Sequence, residues 1–363
     1  MVKNTCLYIT LVLLSAIILF PGCMQSGINQ SALPEQTAPQ TAAPTTTIPI
    51  REVSYTEEQI PYQGSVVGAA VVAEKLLYAV LDSGETLFVR EGTVYGRENR
   101  RVGMLSDVGG RLAYSVSLGL SEEGKSIIVY DGKEIGREYF GADYPTDIGG
   151  KLAYLAFQVE EGNIKSWVVY DGTELGKEYD NVASLTSAGG KPMFIGARGD
   201  KKYVVYDGKE LGGEYDTVSS PVYLGGTIAY VGSKGEADAR RSYIVYNGKE
   251  SDTSYYEAEG LASVNGKLAY KATLDSNRWF LVYDGQEITG DYSYIRNPVG
   301  SKGALAYAAG TSGNEKTSEY VIYAGKKSGE YDYVLGPFIA EEKVVFMGEK
   351  GGQWYLITAI PLY

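Results

Sequence analysis

The chain has 363 residues, of which 44% are apolar and 12% aromatic, so it is long enough to bury a large core. Its 45 acidic residues outnumber 33 basic ones, and the net charge of −12 excludes an extended positive surface of the kind that binds nucleic acid. Histidine is absent, and both cysteines, Cys6 and Cys23, lie near the N-terminus. Histidine-dependent triads, zinc sites and internal disulfides in the rest of the chain are therefore excluded, and we expect neither a cofactor nor a metal site.

The N-terminus has the pattern of an exported protein. Lys3 precedes the apolar run Leu7 to Phe20, which at 14 residues is shorter than the roughly 20 residues that span a bilayer. This predicts a signal peptide over residues 1–22. Gly22 directly before Cys23 resembles the lipobox of prokaryotic lipoproteins, although the two residues before Gly22 depart from that pattern. The resemblance implies a lipid on Cys23 and a location at the cell membrane, facing outside the cytoplasm; an uncleaved anchor and simple secretion are the alternatives.

Residues 23–50 differ in composition from everything that follows. They are poor in charge and rich in Thr, Gln, Ala and Pro, and prolines recur every five residues at Pro34, Pro39, Pro44 and Pro49. Such a segment cannot build a core. Proline favours extended polyproline conformations of about 3.1 Å per residue, so the segment could hold a domain up to ~80 Å from a membrane. We therefore expect a lipid-anchored linker over residues 23–50 and a folded domain over residues 51–363.

Two short phrases alternate along the folded domain. The first is an apolar run that ends in Tyr-Asp-Gly or a close variant, and its glycines are Gly92, Gly132, Gly172, Gly208, Gly248, Gly285 and Gly325. The second resembles Gly-Gly-Lys-Leu-Ala-Tyr, and its eight copies end at Tyr78, Tyr114, Tyr154, Phe194, Tyr230, Tyr270, Tyr307 and Phe346. A period of 36 to 40 residues indicates one repeated supersecondary unit.

The composition of each repeat predicts strands. β-branched and aromatic residues lie between Gly-rich turns, and each Asp-Gly suits the positive φ angles of a two-residue hairpin turn. A calcium loop needs several carboxylates within a few residues, whereas most copies place one Asp before Gly. The strand Trp167 to Tyr170 is apolar on both faces, so another sheet must cover each face. The sequence therefore predicts an all-β propeller of about eight blades, with three to four antiparallel strands each; seven blades with an irregular terminal hairpin is the alternative.

The last repeat, Tyr331 to Ile360, ends without an Asp-Gly hairpin and lacks an outer strand. The segment Arg51 to Ile60 precedes the first repeat and carries Val53 and Tyr55 at alternate positions. We expect this segment to supply the missing strand and close the ring, which would remove an exposed sheet edge.

The alternation of a Leu-Ala-Tyr strand with a Val-Tyr strand and a turn, as in Leu152 to Tyr154 and Val169 to Gly172, resembles the repeats of the WD40 and TolB-like propeller superfamily. The resemblance covers about residues 66 to 360 and implies the propeller architecture. The Gly-His and Trp-Asp marks of WD40 blades are missing, as is the Ser-Pro-Asp-Gly turn of TolB-type repeats. No binding residue can therefore be carried over.

The phrase Gly-x-Glu-Tyr-Asp, as in Gly176 to Asp180 and Gly212 to Asp216, repeats carboxylates that could in principle cleave glycosides. Because a catalytic pair is normally unique within a ring, recurrence favours a structural role. Gly149 and Gly150 are predicted to form a strand turn, since no Lys-Ser/Thr of a phosphate loop follows.

Departures from the repeat are better candidates for partner contacts, and three stand out. They are the basic cluster Arg97, Arg100 and Arg101, the loop end Arg240 and Arg241, and the segment Phe140 to Pro145, where aromatic residues and proline replace a polar linker. Each is also a common kind of surface variation, so none is assigned as a ligand site.

The sequence thus favours a noncatalytic cell-envelope lipoprotein whose propeller is a scaffold for a protein or glycan partner. The alternative is an envelope carbohydrate-binding protein, or a carboxylate-dependent enzyme, that uses the propeller channel. A unique cluster of Asp, Glu and Arg at the channel mouth would favour this alternative. A third hypothesis, a scaffold in an envelope assembly machine, rests on analogy with the lipoprotein propeller of the outer-membrane β-barrel assembly complex.

Overall fold

A computed structural model describes residues 52–362 except 63, 119–124, 237–238, 276–277, 291 and 313–316. The predicted signal peptide, Cys23 and the linker lie outside these residues. The described part of the chain forms 32 β-strands in eight antiparallel sheets of four strands each. The predicted all-β propeller of eight blades is therefore confirmed, and the alternative of seven blades is wrong. No helix long and apolar enough to cross a membrane occurs among the residues described.

The strands are numbered along the chain, beginning with β1 (Glu52–Gln59). Blade 1 contains β2 (Ser65–Val72), β3 (Lys75–Asp82), β4 (Glu85–Arg90) and β5 (Thr93–Glu98). Blade 2 contains β6 (Val102–Val108), β7 (Arg111–Ser117), β8 (Ser126–Tyr130) and β9 (Lys133–Ile135). Blade 3 contains β10 (Gly141–Ile148), β11 (Lys151–Glu160), β12 (Asn163–Tyr170) and β13 (Thr173–Leu175). Blade 4 contains β14 (Asn181–Ala188), β15 (Lys191–Arg198), β16 (Lys201–Tyr206) and β17 (Lys209–Leu211).

The second half of the ring has the same order. Blade 5 contains β18 (Thr217–Leu224), β19 (Thr227–Lys234), β20 (Arg241–Tyr246) and β21 (Lys249–Tyr255). Blade 6 contains β22 (Glu257–Val264), β23 (Lys267–Thr273), β24 (Trp279–Tyr283) and β25 (Gln286–Ile288). Blade 7 contains β26 (Tyr294–Ser301), β27 (Ala304–Ser312), β28 (Thr317–Tyr323) and β29 (Lys326–Lys327). Blade 8 contains β30 (Tyr333–Ala340), β31 (Lys343–Lys350), β32 (Gln353–Leu362) and, as its fourth strand, β1.

Two-residue turns of positive φ connect the strands, as the sequence predicts. Asp171 and Gly172, with φ angles of 49° and 75°, join the third and fourth strands of blade 3. Gly149 and Gly150, at 64° and 81°, join its first and second strands. These turns share one end of each blade, which we call the hairpin face. The opposite end carries the turns between second and third strands and the connections between blades, and we call it the linker face.

The blades close into a ring around the first, or inner, strands. Each inner strand contacts that of the next blade, and β30 contacts β2. The second and third strands are buried on both faces; Val168 and Val169, for example, are 0% and 3% exposed. One apolar cluster joins side chains from three blades, including Ile128, Val168 and Val205. The core therefore lies between blades. Each fully buried aliphatic side chain there stabilises the folded state by about 1.5–3 kcal/mol relative to an exposed one.

The first described strand completes the last blade. β1 runs antiparallel to β32, from Glu52 opposite Leu362 to Gln59 opposite Tyr355. The Tyr55 hydroxyl also donates a hydrogen bond of 2.7 Å to the carbonyl of Lys326 in blade 7. The prediction that residues 51–60 close the ring is therefore confirmed for β1.

The tyrosine of each Gly-x-Glu-Tyr-Asp linker lies across the second strand of the blade that follows it. The Tyr215 ring packs edge-on against Tyr230 at a centroid distance of 6.1 Å. It also lies directly over Gly232, where an added Cβ would come within 2.5 Å of the ring. Tyr179 has the same relation to Phe194 and Gly196. In these two blades the glycine lets the linker ring approach the second strand closely.

We expect Gly232→Ala to lower the free energy of unfolding by about 1–3 kcal/mol, because the methyl group overpacks a buried ring. Gly96→Ala is the matched control, since a Cβ at Gly96 would meet only Phe88, at 3.6 Å. Urea unfolding of the two variants measures the difference. Equal stability would show that the linker tyrosine does not need this close approach.

Candidate functional site

The aspartates of the linker phrase are structural. Asp180, Asp216 and Asp332 each accept a hydrogen bond from a turn glycine of the following blade, at 2.7, 2.9 and 2.7 Å. The linker tyrosines likewise donate to carboxylates of fourth strands. These pairs are Tyr139–Glu174, Tyr179–Glu210, Tyr215–Glu250 and Tyr331–Glu57, with oxygen separations of 2.8 to 3.1 Å. The repeated carboxylates therefore hold linkers to blades, as their recurrence in the sequence suggests.

The Asp of the Tyr-Asp-Gly turn also has a structural partner. It pairs with the first basic residue of the second strand on the exposed hairpin face, as in Lys191–Asp207 at 2.9 Å and Arg111–Asp131 at 2.7 Å. In blade 5 both charged residues are replaced, by Thr227 and Asn247, and the Thr227 hydroxyl donates to Asn247 Oδ1 at 3.1 Å. The basic residue of one repeated phrase and the Asp of the other are thus replaced together in blade 5, where the two side chains are in direct contact.

Two arginines of the basic cluster at residues 97 to 101 are engaged in ion pairs. Arg100 donates to Glu98 and to Glu134 of blade 2, at 2.8 Å each, and the hydrogen bonds from Arg100 to Glu98 lower the pKa of that buried carboxyl. Arg100 therefore takes the place of a linker tyrosine. Arg97 pairs separately with Glu85 at 2.6 Å, and Arg101 is exposed.

The other two candidates are also local features. Arg240 and Arg241 make hydrogen bonds within their own loop, to the carbonyls of Gly235 and Arg240 at 3.4 and 2.7 Å. The interpretation of Phe140 to Pro145 as a linker segment is wrong, because all but its first residue belong to the inner strand β10. A bulge there lets Pro145, which cannot donate a backbone hydrogen bond, fit into a strand.

That bulge recurs around the channel and was missed at the sequence level. The fourth residue of the inner strand has a positive φ in blades 3 to 8, and these residues are Tyr144, Ser184, Ser220, Gly260, Asn297 and Gly336. Two contacts link neighbouring bulges: Gly260 N donates to Ser220 Oγ at 3.1 Å, and Asn297 Nδ2 donates to the Gly336 carbonyl at 3.0 Å. A signal was available, because in four blades the bulge residue precedes proline, at 144–145, 220–221, 297–298 and 336–337.

A cleft with charged residues in its lining lies at one part of the ring of inner strands. The cleft has a volume of 410 Å³ and lies between the inner strands of blades 6 and 7, where residues 259–262 and 295–298 form its two walls. Lys271 and Leu281, from the second and third strands of blade 6, complete it. The cleft is our candidate functional site, because its charged side chains depart from the small or apolar residues at equivalent positions in most blades.

Arg296 belongs to one wall of the cleft, and its guanidinium is held against blade 8. Its Nη2 donates to the Val334 carbonyl at 2.6 Å and pairs with Glu319, which is only 7% exposed. The other lone pair of the same Glu319 oxygen accepts Val334 N–H at 2.7 Å. The guanidinium also lies 5.4 Å and 4.9 Å from the ring centroids of Tyr294 and Tyr333. This network joins blades 7 and 8 and fixes the orientation of Arg296.

The opposite wall carries an ion pair. Glu259 and Lys271 are direct cross-strand neighbours and form an ion pair of 2.5 Å. Desolvation and the nearby Glu259 charge raise the pKa of Glu257, the first residue of the same inner strand. Within the described ranges, no group of three or more acidic, cysteine or histidine side chains is placed to hold a metal ion. The arrangement suits recognition of complementary charges.

Comparison with known proteins shows the propeller fold and does not identify a function. No protein-family model matches the chain, and no curated protein matches it in sequence. It is similar to the propeller domain of the trilobed protease from Pyrococcus furiosus, with 12% identity over 83% of this chain and 95% of that one and a TM-score of 0.43. A prolyl endopeptidase gives 12% identity over 81% of this chain and a TM-score of 0.50, and the match spans only 55% of that protein. Sqt1 from Chaetomium thermophilum gives 9% identity over 84% and 98% of the two chains, with a TM-score of 0.43.

We expect Glu319→Ala to lower the free energy of unfolding by about 2–4 kcal/mol, because it leaves Arg296 half-buried without its counter-ion and removes an acceptor of Val334 N–H. Lys151→Ala, which removes an exposed hairpin-face ion pair with Asp171, should cost less than about 1 kcal/mol. Urea unfolding compares the two. Equal losses would contradict a supporting role for the network.

Proposed function

We propose that this chain is a noncatalytic cell-envelope lipoprotein whose propeller binds a protein partner through its linker face. The lipid anchor follows from the sequence around Cys23 and the linker that comes after it. The repeated carboxylates accept hydrogen bonds that hold the linkers to the blades, and this supports a binding role over a catalytic one. A rigid disk with variable loops at one end is a common support for binding surfaces.

The observation that carries the proposal is a group of exposed apolar side chains on one sector of the linker face. They lie at the ends of second strands or the starts of third strands in three consecutive blades and are Leu81, Leu118, Val159 and Ile164, each 43–44% exposed. Val159 and Ile164 are direct cross-strand neighbours. Val67 and Met104, at 41% and 50% exposed, extend the group onto the inner strands of blades 1 and 2. A concentration of exposed apolar residues at one face is a common feature of interaction surfaces.

The two faces of the disk differ in a way that fits this assignment. The hairpin face repeats exposed ion pairs such as Lys191–Asp207, which contribute little to specific recognition. The described chain also begins there, because Glu52 lies opposite Leu362 at the end of a third strand. The first described residue therefore lies on the hairpin face, away from the linker face.

A second candidate function is the binding of a small ligand in the channel. The charged residues Glu259 and Lys271 at the cleft favour it over a channel of purely structural residues. The ion pair between Glu259 and Lys271 supports recognition of a ligand rather than a pair of free catalytic carboxylates.

The assignment of the linker face as the partner-binding surface is tested by a pull-down from native membranes, with the intact anchored protein as bait. We expect V159K/I164K to retain at least ~10-fold less partner than wild type, because two buried charges would oppose an apolar contact. The control I360K/L362K adds the same charge at exposed apolar residues of β32, near the hairpin face, and should retain the partner. Equal retention by both variants would refute the assignment of the linker face.

The anchor is tested by metabolic labelling with a radioactive fatty acid. We expect label on wild type and on the control Cys6→Ala, and none on Cys23→Ala, since the resemblance to the lipobox places the lipid on Cys23. Fractionation of the same cells should find Cys23→Ala protein outside the detergent phase. Label that persists on Cys23→Ala would contradict a lipid at that residue.

A further inference from the structure

The outer strands of the eight blades differ in length and regularity. Five of them, β9, β13, β17, β25 and β29, have only two or three residues. β5 and β21 have six and seven residues, but each pairs with its neighbour through a register shift. β1 has eight residues and pairs with β32 without any shift. β1 therefore presents the longest regular sheet edge of the described ring.

Proteins normally protect long regular edges. The unpaired N–H and C=O groups of an edge strand are a template for another strand, and short strands, bulges, proline and lysine oppose such pairing. β1 contains neither proline nor lysine. In an antiparallel pair, half of the residues direct their backbone groups away from the neighbouring strand. Within the described part of the chain β1 forms a ladder with β32 alone, so its outward backbone groups are open to a further strand.

One face of β1 is already occupied by its own protein. Val53 and Tyr55 belong to the apolar cluster between blades 7 and 8, and the Tyr55 hydroxyl donates to the Lys326 carbonyl at 2.7 Å. Glu57, on the same face, accepts a hydrogen bond from the Tyr331 hydroxyl at 3.1 Å. These contacts hold β1 in place and leave its outer edge free.

The other face of β1 is open and acidic. Its side chains alternate with the first set and are Glu52, Ser54, Thr56 and Glu58, all of them exposed. Glu52 and Glu58 form no ion pair with any residue that the structure describes, and β1 itself contains no basic residue. An incoming strand that places lysine or arginine opposite these two glutamates would therefore gain two cross-strand pairs of opposite charge.

A second copy of this chain does not fit the same edge well. It would bring another β1 with three glutamates, and each chain has a net charge of −12. Like charges on adjacent strands destabilise their pairing, and the net charge opposes the approach of two copies. The charge of the edge thus favours a basic segment from a different protein.

We propose that an extended basic segment of a partner protein pairs with β1 and adds a fifth strand to the four-stranded sheet of blade 8. The backbone of the segment continues the ladder and supplies affinity, and its alternate side chains supply specificity. Lysine or arginine residues six positions apart lie opposite Glu52 and Glu58 on one face of the segment. This edge belongs to blade 8, whereas the proposed partner face lies on blades 1 to 3, so either assignment can fail without the other.

Isothermal titration of the intact full-length protein with the capped octapeptide Lys-Val-Thr-Val-Thr-Val-Lys-Thr tests the proposal. In either strand direction the two lysines can lie opposite Glu52 and Glu58. We expect saturable binding with a Kd below about 1 mM. The control peptide Lys-Val-Thr-Val-Thr-Lys-Val-Thr has the same composition but places its lysines on opposite faces, so it should bind at least ~10-fold more weakly.

Reversal of charge on the protein provides a second test. E52K/E58K should weaken binding of the first octapeptide at least ~10-fold, and it should bind a version of that peptide in which glutamate replaces both lysines. The control E161K/E178K makes the same change of charge at exposed glutamates remote from β1 and should leave binding unchanged. Recovery with the glutamate peptide would show that the loss in E52K/E58K does not come from unfolding.

Hydrogen–deuterium exchange distinguishes strand addition from charge attraction alone. The bound octapeptide should slow amide exchange within residues 52–59 at least ~5-fold, because outward N–H groups of β1 become hydrogen-bonded. Four results would each overturn the proposal: no saturation up to about 5 mM peptide, equal affinity for the two lysine peptides, unchanged affinity in E52K/E58K, or unchanged exchange in residues 52–59.

Discussion

The fold depends on strands that are apolar on both faces. In blade 3, Val168 and Val169 point to opposite sides of one sheet and both are buried, so a single sheet cannot satisfy them. A neighbouring sheet must cover each face, and that neighbour has the same requirement. A closed ring meets this condition without leaving any blade uncovered. The pairing of β1 with β32 therefore matters well beyond blade 8, because it holds together the two ends of the described chain.

The connections between blades follow from the same constraint. Each linker must leave the outer strand of one blade and reach the inner strand of the next, and most linkers use a tyrosine that packs over a second strand. Arg100 shows that different chemistry can fill this role, since its ion pair with Glu134 reaches the fourth strand of blade 2 just as Tyr139 reaches Glu174 in blade 3. These contacts pair the hydroxyl, guanidinium and carboxylate groups of the linkers and fourth strands. In the sequence alone, the same groups resemble the residues of an active site.

Some residues take no part in these repeated contacts. They include charged side chains near the channel and exposed apolar side chains on the linker face. At the third inner-strand position, blade 4 has Ala183 and blade 8 has Leu335, whereas blades 6 and 7 have Glu259 and Arg296. The third inner-strand position is not fully buried in blades 3 to 8, so substitutions there disturb the interblade core less than they would at a buried position. The scaffold can thus support a chemically distinct site without loss of the ring.

The sequence by itself determined the repeat, the strand content, the Asp-Gly turns and the closing role of residues 51–60. Each of these follows from local rules: backbone φ preferences at turns, apolar patterns within a strand and a constant period. Residues 141–145 were misread because an inner strand with a bulge and a proline lacks the regular pattern of a two-sided strand. Only the tertiary structure decided that Arg296 meets Glu319, 23 residues away, and that Val334 of the next blade completes their network. Contacts between blades depend on which side chains face each other across two packed sheets, and that pairing is fixed by the closed ring and not by any segment alone.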